Sequence, residues 1–112
     1  MEINLPDKLY YSIGELAKAF NVNASMIRFW ESEFPIIQPK RNAKGNRYFT
    51  KEDLRNLKMI YYLVKEKGYT LDGAKAALTT NPRIGDTVEM IDRLNFVKAE
   101  LIKLKKALPE KE

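Results

Sequence analysis

Ser12-Ile13-Gly14-Glu15-Leu16-Ala17-Lys18-Ala19-Phe20-Asn21-Val22-Asn23-Ala24-Ser25-Met26-Ile27-Arg28-Phe29-Trp30-Glu31 is the stretch on which the fold turns. Ser12 followed three residues later by Glu15 is a capping box, and Ile13, Leu16, Ala17 and Phe20 share one helical face, so a first helix is expected over about 12–20. Two asparagines around Val22 then break the pattern, and Asn23 is placed to cap a second helix from 24 to about 33. Two short helices separated by about three residues have the arithmetic of a helix-turn-helix, with Val22 plugging the angle between them. The same arithmetic also describes a generic corner of two helices.

Downstream, Pro35, Pro39, a basic cluster and Lys44-Gly45-Asn46 predict a β-hairpin, 36–41 pairing with 47–49 around a tip of Asn42, Ala43, Lys44, Gly45 and Asn46. A basic hairpin directly after a helix-turn-helix reads as a wing; the alternative is a solvated loop. Thr50 with Asp53 caps a third helix, in which Leu54, Leu57, Ile60, Tyr61 and Val64 form an apolar stripe before Gly68 ends it. Thr70 opens a fourth helix through about Leu78. Upstream, Pro6 makes residues 1–11 an irregular or short extended lead-in.

The last segment changes character. Thr87, Met90, Leu94, Val97, Leu101, Leu104 and Leu108 recur at alternating spacings of three and four, a coiled-coil seam of about three heptads that needs a partner helix. At 1.5 Å per residue it spans roughly 33 Å, long enough to protrude, unless it folds back onto the core. The expected class is mainly α: a winged helix-turn-helix of four helices and a hairpin (1–80), a linker (81–86) broken by Pro82 and Gly85, and a C-terminal coiled-coil dimerisation helix (87–112).

A chain of 112 residues suits one domain with an appendage. It has no cysteine and no histidine, which removes thiolate and imidazole metal ligands, disulfides and the commonest general base. Neither metal nor cofactor is expected, and not an enzyme, because Glu31 with Glu33 and Glu52 with Asp53 read as surface and helix-start acids. The net charge of +5 is concentrated: residues 40–58 hold seven basic side chains (Lys40, Arg41, Lys44, Arg47, Lys51, Arg55, Lys58) against Glu52 and Asp53. No signal-peptide pattern and no membrane-spanning apolar run are present, so a cytoplasmic location and no membrane partner are expected.

With the second helix in a major groove, Asn23, Ala24, Ser25 and Arg28 face base edges while Met26, Ile27 and Trp30 point inward. Arg28 is the long donor of that face, able to grip guanine or phosphate; its alternative is a surface pairing with Glu31 or Ser32. Phe29 is expected against sugar and phosphate. In the wing, Lys40, Arg41, Lys44 and Arg47 are placed to neutralise phosphates and Asn42 and Asn46 to add hydrogen bonds, contacts that position without reading sequence. Ser12 with the first helix's N-terminus is a further phosphate candidate. Met90, Leu94, Val97, Leu101, Leu104 and Leu108 are the candidate dimerisation residues.

Tyr11-Ser12-Ile13-Gly14-Glu15-Leu16-Ala17, Ile27-Arg28-Phe29-Trp30-Glu31 and Asn46-Arg47-Tyr48-Phe49-Thr50-Lys51-Glu52-Asp53-Leu54, in that order, resemble the N-terminal DNA-binding domain of the MerR family of bacterial transcriptional regulators. The resemblance runs from about Tyr10 to Leu78, and the helix beyond looks like that family's antiparallel dimerisation helix. It implies a homodimer on a pseudo-palindromic promoter site of double-stranded DNA, bending and untwisting it so that RNA polymerase is affected indirectly. It implies DNA contacts at Ser12, Ser25, Arg28, Phe29, Arg41, Asn42 and Arg47. Many members carry tyrosines where Phe29-Trp30, Asn46 and Phe49 stand, and Gly-Leu where Phe34-Pro35 stands. The expectation is a DNA-binding and pairing unit without an effector domain; its rivals are a protein-interaction adaptor using the heptad helix and an excisionase-like architectural DNA-binding protein.

Overall fold

The computed structural model describes residue 3 and residues 5–109. Its elements are α1 (Ile13–Phe20), α2 (Ala24–Glu33), β1 (Lys40–Arg41), β2 (Arg47–Tyr48), α3 (Lys51–Tyr61) continued by a π-helical turn (Tyr62–Glu66), α4 (Leu71–Thr80) and α5 (Ile84–Ala107). This is a winged helix-turn-helix with a long C-terminal helix, the expected class.

The capping box forms: the Ser12 hydroxyl accepts from the Glu15 N–H, and the Glu15 carboxylate accepts from the Ser12 N–H. α1 ends on Asn21 in the left-handed region (φ 54°), a conformation asparagine tolerates better than most residues. Asn23 takes the extended backbone of an N-cap, but its side chain makes no capping bond, so its amide stays exposed at the start of α2. Val22 is half-buried between the helices, as expected.

The inward face of α2 anchors the core. Ile27 and Trp30 are buried, and the Trp30 ring meets Tyr61 edge-on at 6.4 Å while Phe20 packs on the same tyrosine at 5.5 Å. Such tilted aromatic contacts add to the burial of large apolar area. Met26 is partly buried against this cluster.

The hairpin is shorter than the sequence suggests. Only Lys40–Arg41 and Arg47–Tyr48 pair, with Lys40 opposite Tyr48 and Arg41 opposite Arg47. Pro35 and Pro39 lack N–H groups for a ladder. Between them Ile37 turns into the core, and the Gln38 N–H donates to Asp53 at 3.0 Å. Phe49 leaves the hairpin to bridge Tyr11, each exchanging its backbone N–H and carbonyl with the other.

α3 opens on the expected Thr50–Asp53 capping box, but Asp53 is 3% exposed and does more than cap. One carboxylate oxygen accepts from the N–H and hydroxyl of Thr50, the other from Gln38, so it joins the start of α3 to the chain entering the wing. The stripe read as Leu54, Leu57, Ile60, Tyr61 and Val64 changes phase at the π turn, where Leu63 becomes the buried residue and Val64 lies partly outside. Gly68 takes a positive φ of 73° before Thr70 caps α4, which runs two residues beyond Leu78.

α5 begins at Ile84, inside the segment expected as a linker. Ile84 and Val88, one turn apart, are buried, and Gly85 lets the helix lie close to α3: a Cβ there would meet the Arg55 guanidinium at 2.7 Å. The glycine read as a breaker is a point of close approach. Arg55 to Glu89 (3.0 Å) and Lys58 to Asp92 (2.9 Å) continue the junction as ion pairs. Beyond it α5 leaves the domain, giving the molecule a 60 Å long axis, so the seam does not fold back on its own core. Leu108 is the C-cap, and residues 110–112 of the expected dimerisation helix lie outside the described residues.

Asp53→Ala is expected to cost about 1 to 3 kcal/mol in urea unfolding, because it removes a buried carboxylate that accepts from the partly buried N–H groups of Thr50 and Gln38. A loss no larger than that of an ordinary helix cap, about 1 kcal/mol as for Thr50→Ala, shows that the bond to Gln38 contributes little.

Candidate nucleic-acid interface

Because Ile27 and Trp30 face the core, Asn23, Ser25, Arg28 and Phe29 are left exposed along the outer face of α2, with Ala24 half-buried at its start. The Arg28 guanidinium has no hydrogen-bond or ion-pair partner among the described residues. Its two alternative partners are engaged elsewhere: Ser32 donates to the Phe29 carbonyl, and Glu31 reaches the wing. Beside the turn, an open cleft lined by Asn21, Asn23 and Ser25 also holds Lys18 and Lys65, two cations outside the basic window.

Glu31 is the residue the sequence reading undervalued. Its carboxylate accepts from Arg47 Nε at 2.8 Å and Arg41 Nη2 at 3.1 Å, and at 15% side-chain exposure it is the most sheltered member of the group. Arg41 and Arg47 are cross-strand partners, so one carboxylate fastens both strands of the wing to α2. Helical spacing puts Trp30 and Glu31 about 100° apart, which is the signal available in the sequence: one faces the core, the next the hairpin. Glu33 is likewise engaged, pairing with Lys75 of α4 at 2.9 Å.

The wing tip is organised by Asn42. Its Oδ1 accepts from the N–H groups of Lys44 and Asn46, the backbone closes Gly45 onto Asn42 and Asn42 onto Asn46, and its amide donates to the Tyr48 hydroxyl at 3.2 Å. Gly45, at φ 82°, occupies the left-handed position of that turn. Asn42, a phosphate candidate by sequence, is thus occupied within the wing, while the Asn46 side chain is exposed.

Charge in the basic window is redistributed by pairing. Arg41 and Arg47 meet Glu31, Lys51 meets Asp7, Arg55 meets Glu89 and Lys58 meets Asp92. Hydrogen bonding and charge attraction from Asp7 hold the Lys51 ammonium above the ordinary lysine range. Among the described residues, Lys40 and Lys44 are the window's cations without a carboxylate partner. At the N-terminus of α1, the Glu15 carboxylate already occupies the Ser12 N–H and is bound by Lys8 at 2.9 Å, so an anion there meets a resident acid.

These features define a winged helix-turn-helix whose second helix and wing present one exposed polar and basic surface. The description "MerR HTH family regulatory protein" matches residues 11–80, and the chain belongs to that family. Among curated relatives it is 33% identical over 69 residues to the HTH-type transcriptional regulator ZntR of Escherichia coli K12, a match covering 62% of this chain and 48% of the relative. It is 34% identical over 68 residues to CueR of Vibrio cholerae, covering 61% and 48%, so the chain spans about half the length of these relatives. A mercuric resistance operon regulatory protein of Bacillus cereus is 29% identical over 115 residues, covering 89% of this chain and 86% of that one. In fold it is similar to HiNmlR, described as a MerR family regulator lacking the sensor domain, bound to promoter DNA (TM-score 0.50, 24% identity, 87% of this chain and 80% of that one). No helix among the described residues is long and apolar enough to cross a membrane.

Two outcomes follow from the site's ion pairs. Glu31→Ala should release the wing, raising amide exchange in residues 40–48 while costing only about 1 kcal/mol of global stability, because its arginine partners are partly exposed. Unchanged exchange there would mean the strand pairing alone holds the wing. The Glu15 carboxyl is held below its usual value by the hydrogen bond from Lys8, then by that from Ser12. Its stabilisation is therefore present at neutral pH and is lost as pH falls through that lowered value, so the stability gap between wild type and Glu15→Gln should narrow as the solution is acidified below the ordinary glutamate value of 4.5. A gap independent of pH would show that the Glu15 charge contributes nothing.

Proposed function

We propose that this chain is a cytoplasmic, sequence-specific DNA-binding transcription regulator that acts as a homodimer on a pseudo-palindromic promoter site. The observation that carries the reading is the outer face of α2, where Asn23, Ser25 and the unpartnered Arg28 stand exposed beside a wing fastened to the same helix by Glu31. Its N-terminal part enters the major groove, where Arg28 addresses a guanine edge and Asn23 and Ser25 address neighbouring groups. Lys44 at the wing tip and Lys40 at its base lie on flanking phosphates, and Phe29 lies against the sugar-phosphate backbone. Arg41 and Arg47 reach phosphate while keeping the wing in register with α2.

The exposed seam supports pairing. Met90, Leu94, Val97, Leu101, Leu104 and Leu108 are each between 51% and 62% exposed in the single chain, an apolar stripe that a second copy of α5 covers. Two domains held at a fixed separation then engage two half-sites. The dimer distorts the DNA between them, and RNA polymerase responds to the distorted promoter without touching the protein.

Binding to a fluorescent duplex carrying the preferred site should fall steeply with salt. Arg28→Ala should relax preference at one base pair by about 1 to 3 kcal/mol, whereas Lys44→Ala should weaken all sequences alike and reduce the salt slope by about one. Binding that ignores salt and sequence contradicts the proposal, and an equal loss on every sequence for Arg28→Ala makes it a phosphate contact. Sedimentation should give a dimer; a monomer at high concentration favours a heterologous partner for α5.

A further inference from the structure

The register of the hairpin divides the wing into two faces. Successive residues of a strand point to opposite sides. Arg41 and Arg47 are opposite each other and turn toward α2, where Glu31 takes both. Lys40 and Tyr48 are the other cross-strand pair, and they turn the opposite way to meet Tyr10 from the lead-in.

On that second face three side chains are gathered with no acid among them. Lys40 Nζ lies 3.4 Å from the Tyr10 hydroxyl oxygen and 5.7 Å from the centre of its ring, and the Tyr10 and Tyr48 rings meet edge-on at 6.1 Å. The Tyr48 oxygen accepts from the Asn42 amide, and the Tyr10 oxygen accepts from Lys40, so each phenol keeps its own proton to donate. Tyr48 and Lys40 are exposed. Ring packing alone would be served equally by phenylalanine. Two phenolic donors around an ammonium with no carboxylate partner form a set suited to a singly charged oxyanion with several acceptor atoms.

We infer that Tyr10, Lys40 and Tyr48 form a phosphodiester clamp on the side of the wing opposite the arginines, binding one backbone phosphate of the DNA. The inference rests on the DNA-binding reading above. Lys40 supplies the charge, held in place by the Tyr10 ring, and the two hydroxyls supply direction. The clamp adds affinity on every sequence and contributes no base preference.

The test uses the full chain and a set of duplexes of its preferred site, each with one backbone phosphate replaced by an uncharged methylphosphonate. Tyr10→Phe and Tyr48→Phe, which keep the rings, should each weaken binding to the unmodified duplex about ten- to a hundredfold, the worth of one hydrogen bond to a charged group, with the salt slope unchanged. Lys40→Gln should lower that slope by about 0.9. At one methylphosphonate position wild type should lose affinity while the three variants lose little more, which places all three residues on the same phosphate. Thermal midpoints of the phenylalanine variants should match wild type. The clamp is overturned if both phenylalanine variants bind like wild type, or if their losses persist undiminished on every modified duplex. A wild-type chain that binds no duplex at all overturns the DNA-binding reading itself, and the clamp with it.

Discussion

The packing of Trp30 and Ile27 against Phe20 and Tyr61 is the constraint from which the rest of the molecule follows. With these two positions of α2 fixed in the core, helical geometry leaves no freedom in where Arg28, Phe29 and Glu31 point. Arg28 and Phe29 face out, and Glu31 faces the hairpin. The large ring of Trp30 thereby sets two functional directions at once: the surface offered to a ligand and the carboxylate that orients the wing. A hairpin of two residues per strand has little stability of its own, so its placement depends on Glu31, on the Asn42 turn and on the neighbouring Tyr11–Phe49 bridge.

Charge counted along the sequence and charge offered in space are different quantities here. The window 40–58 carries the equivalent of the whole net charge, yet five of its seven cations meet carboxylates, three of which come from distant segments. Arg55 and Lys58 serve the junction between α3 and α5. Among the described residues near α2 and the wing, the cations without a carboxylate partner are Arg28 on α2, Lys40 and Lys44 at the edges of the wing, and Lys18 and Lys65 beside the turn. Around α2 the exposed Arg28, Lys40, Lys44, Lys18 and Lys65 therefore offer unpaired charge, while Arg41 and Arg47 are held in defined positions by Glu31.

Much of this was legible in the sequence because local rules agreed with one another. The Ser12–Glu15 and Thr50–Asp53 capping boxes, the bounds of α2 and the burial of Ile27 and Trp30 are dictated within a few residues of themselves. What escaped depends on partners far away in the chain. The short hairpin reflects Ile37 and Gln38 being drawn to the core and to Asp53; the π turn re-phases a stripe that a 3.6-residue period misassigns to Val64; Gly85 looks like a breaker until α3 is placed beside it. For the site, exposure of the α2 residues was readable, but Glu31 reads in sequence as a surface acid and Tyr10 and Tyr48 do not stand out, because the contacts they make depend on where the hairpin is placed and in which register.

α5 joins the winged domain to the exposed seam. Its first turns are locked to α3 by Ile84, Val88 and two ion pairs, and its remainder carries an uncovered apolar seam away from the domain. Any pairing through that seam therefore sets the distance and orientation of two α2 surfaces. The most direct measurement is selection of bound sequences from a random duplex pool by the full chain at moderate salt. The account predicts enrichment of one motif repeated as two inverted half-sites at a fixed spacing; a pool no different from its input, or a single motif with no paired copy, would contradict it.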